Sequence, residues 1–64
     1  MAEEEAIRRL RHDLANPLAA LLAETQLLLM DAADLPPDVV NGLKEIEALA
    51  RRMREILNTS RSGS

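Results

Sequence analysis

The chain has 64 residues, of which 47% are hydrophobic and none is aromatic or a cysteine, and its formal net charge is −3. A chain of this size forms at most one small domain, with an aliphatic core, and such domains are commonly stabilised by a partner subunit, a metal or disulfides. The lack of cysteine excludes disulfides and thiolate metal sites, the single histidine excludes a histidine-rich metal site, and the negative charge argues against nucleic-acid binding.

Membrane and export signals are also missing from the sequence. No apolar run approaches the roughly 20 residues that span a bilayer. The acidic start MAEEEA is followed by arginines, which is not the pattern of a signal peptide. We therefore expect this segment to make no direct membrane contact and to be cytoplasmic, whether alone or as the cytoplasmic part of a membrane-bound protein.

The order of elements follows from one cluster of helix-breaking residues. Ala, Leu, Glu and Arg dominate the chain and favour helix, whereas ADLPPDV interrupts it. Pro36 and Pro37 lack backbone N–H groups and fit only the first turn of a new helix, for which Asp34 is a candidate N-cap. The prediction is helix 1 over about 2–32, a turn over about 33–35, helix 2 over about 36–58, a domain over 1–59 and a flexible tail over 60–64.

Each predicted helix carries apolar residues at intervals of three and four, which is typical of helix pairing. The seam of helix 1 is Ile7, Leu10, Leu14, Leu18, Leu21, Thr25 and Leu28, flanked by Leu22 and Leu29. The seam of helix 2 is Val39, Leu43, Ile46, Ala50, Met53 and Leu57, with a second stripe of Leu49 and Ile56.

A short loop makes the two helices antiparallel neighbours. Their apolar stripes are wider than the single face that each helix turns towards the other within one hairpin. The predicted fold is all-α: a two-helix hairpin that homodimerises into a four-helix bundle. The alternatives are a monomeric hairpin and a segment of long coiled coil, which the double proline disfavours.

The only histidine of the chain lies on the side of helix 1 opposite to this seam. At about 100° per residue, the seam falls within roughly 40–60° of the direction opposite His12. The imidazole is therefore predicted to be exposed. Small residues share its face over the following turns, which is typical of a surface that another protein approaches closely, although helix propensity alone also explains alanine. The residues of this predicted docking strip are Ala15, Ala19, Ala23 and Gln26.

Polar groups and a proline follow the histidine within about one turn. Pro17 removes the hydrogen bond to the carbonyl of Asp13 and costs roughly 3 kcal/mol in a helix interior. An exposed imidazole can act as a nucleophile, a carboxylate such as that of Asp13 can orient the ring and take its proton, and an amide such as that of Asn16 can hold a water. His12, Asp13 and Asn16 could each be an ordinary surface residue, but the three together suit a phosphoryl relay.

The segment His12-Asp13-Leu14-Ala15-Asn16-Pro17-Leu18 resembles the H-box of sensor histidine kinases, whose pattern is His, Glu or Asp, Leu, any residue, Thr or Asn, Pro, Leu. The long first helix, the short turn and the second helix with its arginines are similar to the dimerisation and histidine-phosphotransfer domain of that family. The resemblance implies a part of a two-component system rather than a complete enzyme.

Roles for individual residues follow from this resemblance. It implies that His12 is the phosphoacceptor and Asp13 its acid/base partner. Asn16 would orient a hydrolytic water in the phosphatase reaction, and Pro17 would mark a hinge. The surface implied for docking a response-regulator receiver contains Ala15, Ala19, Ala23 and Gln26. Asp13 stands where Glu is commoner and Ala15 where a basic residue is frequent, so the balance of activities can differ from the family's usual one.

The resemblance also implies what other domains supply. The chain has no GxxxxGK[ST] motif and no glycine-rich loop, so no cofactor is expected to bind it. ATP and Mg²⁺ would come with a separate ATP-binding catalytic domain, and the receiver would bring its own aspartate and Mg²⁺. We expect these 64 residues to act as substrate and scaffold and not to autophosphorylate alone.

Two other functions remain open at this point. The chain could be a non-catalytic dimerisation module of a degenerate kinase, in which His12 is never phosphorylated. It could also be a monomeric phosphotransfer protein, but Ala15 and Asn16 occupy the places where such proteins usually carry Lys-Gly.

Overall fold

The computed structural model of the chain describes the backbone of residues 1–62 and the side chains of residues 1–59. Two helices, α1 over Ala2–Leu29 and α2 over Pro37–Ser62, pack against each other and are joined by a short 3₁₀ turn over Ala32–Asp34. The molecule measures 51 × 16 × 13 Å, which is one helix long and about two helices wide. The predicted all-α hairpin is therefore confirmed.

The turn begins earlier than the sequence indicates. Helix α1 ends at Leu29, three residues before the predicted end at Ala32. The chain then tightens into the 3₁₀ turn, where the Asp34 N–H donates to the Asp31 carbonyl at 2.9 Å and the Leu35 N–H to the Ala32 carbonyl at 3.2 Å. Ala32 thus belongs to the connection and not to α1.

The double proline determines where α2 begins. Leu35 is extended, with φ −105° and ψ 148°, as a residue before proline must be. Pro36 also precedes a proline and is disfavoured in helical geometry for the same reason, so Pro37 is the first helical residue. The carbonyl of Pro36 accepts hydrogen bonds from Val39 and Val40. Pro36 therefore holds the N-cap position expected for Asp34.

The second helix continues further than expected. Helix α2 runs to Ser62, four residues past the predicted end at Asn58. Residues 60–62, assigned to a flexible tail from the sequence, are therefore helical. The last two residues of that tail, 63 and 64, lie outside the described residues.

Burial divides the apolar seams into two groups. Leu18, Leu22 and Ala50 form the core of the hairpin, and Leu57 packs against them. Leu22, placed on the flank of the seam from the sequence, is thus central. The one buried polar side chain among the described residues is Thr25, whose hydroxyl donates to the Leu21 carbonyl at 2.7 Å, so its burial leaves no unsatisfied group.

Most of the exposed apolar residues form a surface that we call the apolar face. On each helix it is rotated by about 70° from the buried ridge, in the same sense. Because the helices are antiparallel, the two exposed stripes lie on one side of the hairpin. The apolar face contains Ile7, Leu10, Leu14, Leu21 and Leu28 of α1 and Val39, Ile46, Leu49, Met53 and Ile56 of α2.

Candidate functional site

His12 lies well inside α1, and its imidazole is exposed to solvent. Its side chain is 76% exposed. On the helical wheel, His12 lies about 110° from the buried ridge of α1 and about 180° from the apolar face. A protein that covered the apolar face would therefore leave the imidazole accessible.

The carboxylate of Asp13 lies beside the ring. Its Oδ1 lies 4.0 Å from Nδ1 of His12, and the Asp13 side chain is 68% exposed. This separation is about 1 Å longer than a hydrogen bond. Both side chains are exposed, so no packing fixes this separation. The geometry leaves Nε2, on the other side of the ring, as the nitrogen without a neighbouring carboxylate.

Asn16 and Pro17 follow one turn after His12, and both are exposed. Asn16 is four residues from His12 and therefore shares its face of α1. Its amide makes no hydrogen bond within residues 1–59, so its donors and acceptor are free for a ligand or water. Helix α1 continues through Pro17 without a break. The missing N–H of the proline still leaves the Asp13 carbonyl without its usual intrahelical donor.

The predicted docking strip lies on the same side as the histidine. Its four residues, Ala15, Ala19, Ala23 and Gln26, are all exposed. On α2, Arg51 reaches across one turn to Glu47, with Nη2 3.3 Å from Oε2. The strip is thus an exposed surface of three alanines and one glutamine on α1.

A second feature near His12 was not assigned a role from the sequence. A shallow, open depression of about 370 Å³ is lined by Glu5, Arg8, Arg9 and His12. The signal in the sequence is the spacing: Arg8 and Arg9 stand four and three residues before His12, where side chains meet on a helix. Two arginines thus precede His12 and line the depression beside its imidazole, and the carboxylate of Asp13 follows it in the sequence.

Two further site types are absent from the part of the chain that the structure describes. No cluster of three or more histidine, cysteine or carboxylate side chains there could hold a metal ion. Neither helix, over its described length, has the length and apolarity needed to cross a membrane.

Comparison with known proteins identifies the family. The model of the His Kinase A (phospho-acceptor) domain matches residues 2–62. The sensor histidine kinase TrcS of Mycobacterium tuberculosis (strain ATCC 25618 / H37Rv) is 45% identical over 42 residues, which are 66% of this chain and 8% of that much longer protein. No solved structure matches the chain. Because the domain model covers nearly all of it, the chain belongs to the His Kinase A (phospho-acceptor) domain family of sensor histidine kinases.

Proposed function

We propose that His12 is the residue that is phosphorylated, and that the hairpin passes the phosphoryl group from ATP to a response-regulator aspartate. The observation that carries the proposal is the exposed imidazole of His12 with the Asp13 carboxylate 4.0 Å from its Nδ1, in a chain of this family. An exposed ring allows a phosphoryl donor and an acceptor to reach the same nitrogen in turn.

The proposed loading step uses both ring nitrogens. Nε2 of His12 attacks the γ-phosphorus of ATP, the bond from that phosphorus to the ADP oxygen breaks, and ADP leaves. The proton on Nδ1 then passes to the Asp13 carboxylate, which keeps the phosphorylated ring neutral. ATP and Mg²⁺ are brought by an ATP-binding catalytic domain. In the second step, a carboxylate oxygen of the receiver attacks the phosphorus, the N–P bond breaks, and the imidazole regains a proton.

The apolar face supports a homodimer as the working form. The chain exposes 5266 Å², about 1,200 Å² more than compact monomers of 7.1 kDa usually expose. Stable protein interfaces bury about 800 Å² on each partner. A second copy of the hairpin, laid against the apolar face, would complete a four-helix bundle with His12 on its outside.

The same site is proposed to support removal of phosphate from the response regulator. The free amide of Asn16 would orient a water on the face that carries His12, and Pro17 would act as a hinge between kinase and phosphatase geometries. The hinge predicts that Pro17→Ala changes the ratio of the two activities, and an unchanged ratio would argue against it. The docking strip of Ala15, Ala19, Ala23 and Gln26 is proposed to receive the receiver domain.

The rival proposal is a degenerate dimerisation module whose histidine is never phosphorylated. Incubation with radiolabelled ATP, Mg²⁺ and a histidine kinase catalytic domain supplied in trans separates the two. We expect acid-labile label on the wild-type chain and none on His12→Ala. Label that is equal on both chains, or absent from both while the same catalytic domain labels its own phosphoacceptor domain, would support the rival.

A further inference from the structure

The depression beside His12 brings two cationic side chains next to the proposed phosphoacceptor. Arg8 and Arg9 line it together with His12 and Glu5. On the wheel, Arg8 lies about 40° to one side of His12 and Arg9 about 60° to the other, one turn towards the N-terminus. The two arginines therefore lie on either side of the His12 position, and their side chains line the same depression as the imidazole.

The His12 side chain points towards the turn that carries the two arginines. Side chains on an α-helix lean towards its N-terminus, so the His12 ring covers the turn that carries Arg8 and Arg9. Asp13 lies instead beside Nδ1. A phosphoryl group on the other ring nitrogen would thus project from the ring on the side away from the carboxylate.

The donors of both arginines are available for an anion. Within residues 1–59, neither guanidinium has a hydrogen bond or a carboxylate within 4.0 Å, although Glu5 lines the same depression. Planar guanidinium groups bind phosphate oxygens through paired N–H donors, and these charge-assisted bonds are stronger than neutral ones. A volume of about 370 Å³ has room for a phosphoryl group and several waters.

We propose that Arg8 and Arg9 form a phosphoryl-binding pair that holds the oxygens of a phosphoryl group on Nε2 of His12. The inference rests on the proposed function, since it assigns the groups that bind the phosphorylated form of the same histidine. The two arginines are positioning residues: they stabilise the dianionic phosphoryl group and restrict its orientation, and they do not take part in proton transfer.

The test loads the histidine without any kinase. Potassium phosphoramidate phosphorylates imidazole directly: the ring nitrogen attacks phosphorus, the bond from phosphorus to nitrogen of the reagent breaks, and ammonia leaves with the imidazole proton as ammonium. Because the chain has one histidine, the ³¹P NMR signal of the product reports this site alone. Its titration gives the pKa of the phosphoryl group.

The variants are Arg8→Gln, Arg9→Gln and the double variant, and the matched control is Arg11→Gln. Arg11 is adjacent to His12 in sequence but half-buried, about 100° away on the wheel, and does not line the depression. Cations near an anion lower its pKa, so we expect each single variant to raise the phosphoryl pKa by about half a unit and the double variant by about one unit. We expect Arg11→Gln to change it by less than about 0.2 unit, because Arg11 does not line the depression and the remaining effect of its charge is screened by salt.

Lysine at the same positions separates charge from geometry. Arg8→Lys and Arg9→Lys keep the charge and the apolar stem but lose the planar fork, so we expect them to recover only part of the effect. They also serve as the test if a glutamine variant loses helical circular dichroism.

Three results would overturn the phosphoryl-binding pair. The first is an unchanged phosphoryl pKa in Arg8→Gln and Arg9→Gln, and the second is an equal rise in Arg11→Gln. The third is failure of phosphoramidate to modify the wild-type chain, which would contradict the exposure of the ring. Failure of the proposed function would give a different result. The wild-type chain would take no label from ATP and a catalytic domain in trans, but after chemical loading the phosphoryl pKa would still rise in the Arg8 and Arg9 variants and not in Arg11→Gln.

Discussion

The Oδ1 atom of Asp13 lies 4.0 Å from Nδ1 of His12, on a helix face that turns away from the apolar face of the hairpin. The two residues are adjacent in sequence, so α1 itself sets their relative position and no packing against α2 is needed to bring them together. The chemistry of the site is therefore local, whereas the hairpin and its apolar face determine what can approach it.

The carboxylate of Asp13 is predicted to matter for loading His12. Asp13→Asn keeps the size of the side chain and removes its ability to accept the Nδ1 proton. We expect the initial rate of phosphorylation by a catalytic domain in trans to fall about 10²-fold. Glu24→Gln is the matched control, because it removes an exposed carboxylate from the same helix further from the ring. Equal rates for Asp13→Asn and the wild type would remove Asp13 from the mechanism.

The amide of Asn16 is predicted to affect phosphatase activity more than loading. With Asn16→Ala, the water that attacks the phosphorylated receiver loses its orienting group. We expect receiver dephosphorylation to slow by about tenfold or more, while phosphorylation of His12 stays within about twofold because Asn16 has no proton to transfer in that step. Asn41→Ala, an exposed amide on α2, is the control. Parallel losses in both activities would point to a general structural defect instead.

The apolar face is predicted to be the dimer interface. Ile46 is 42% exposed in the single chain and lies on this face. Ile46→Lys would bury a charge in the dimer and is expected to give a monomer in sedimentation equilibrium at tens of micromolar, a concentration at which we expect the wild type to be a dimer. Ala48→Lys places the same charge on an exposed position of α2 outside the apolar face and should leave the dimer intact. A monomeric wild type, or a dimeric Ile46→Lys, would contradict the four-helix bundle.

The core of the hairpin makes a prediction for stability. Leu22 is 5% exposed and packs with Leu18 and Ala50, whereas Leu27, five residues further along the same helix, is 57% exposed. Leu22→Ala is expected to lower the free energy of unfolding by about 2–5 kcal/mol, and Leu27→Ala by less than about 0.5 kcal/mol. Urea unfolding followed by circular dichroism measures both. Equal losses would mean that the described core is not the one that stabilises the protein.

Much of the fold and of the site could be predicted from the sequence because the governing features are local. The double proline divides the chain into two helices, and the wheel places His12 away from the apolar residues. What could not be predicted is which apolar residues meet inside one hairpin. The buried and exposed stripes differ by only about 70° on each helix. The periodicity of the sequence therefore placed the buried Leu18 and the exposed Leu21 in the same seam.

The ends of the helices show the same limit. A proline is favoured as the first residue of a helix, which made Pro36 the predicted start of helix 2. Pro36 also precedes a proline, however, and a residue in that place is disfavoured in helical geometry, so the helix begins one residue later. The end of α1 at Leu29 depends on the hydrogen bonds of the 3₁₀ turn, for which the sequence has no distinct signal. The arginines beside His12 had a readable spacing, but only the shape of the surface shows that they border the ring.

The chemistry of His12 itself can be observed most directly by ¹⁵N NMR of its ring, since no other imidazole is present. The sample contains the wild-type chain, ATP, Mg²⁺ and a histidine kinase catalytic domain in trans. We predict that the Nε2 resonance shifts to a phosphorylated position and returns when a response-regulator receiver is added. An unchanged ring spectrum, with phosphate incorporated at another residue or nowhere in the chain, would contradict the assignment of His12 as the phosphoacceptor.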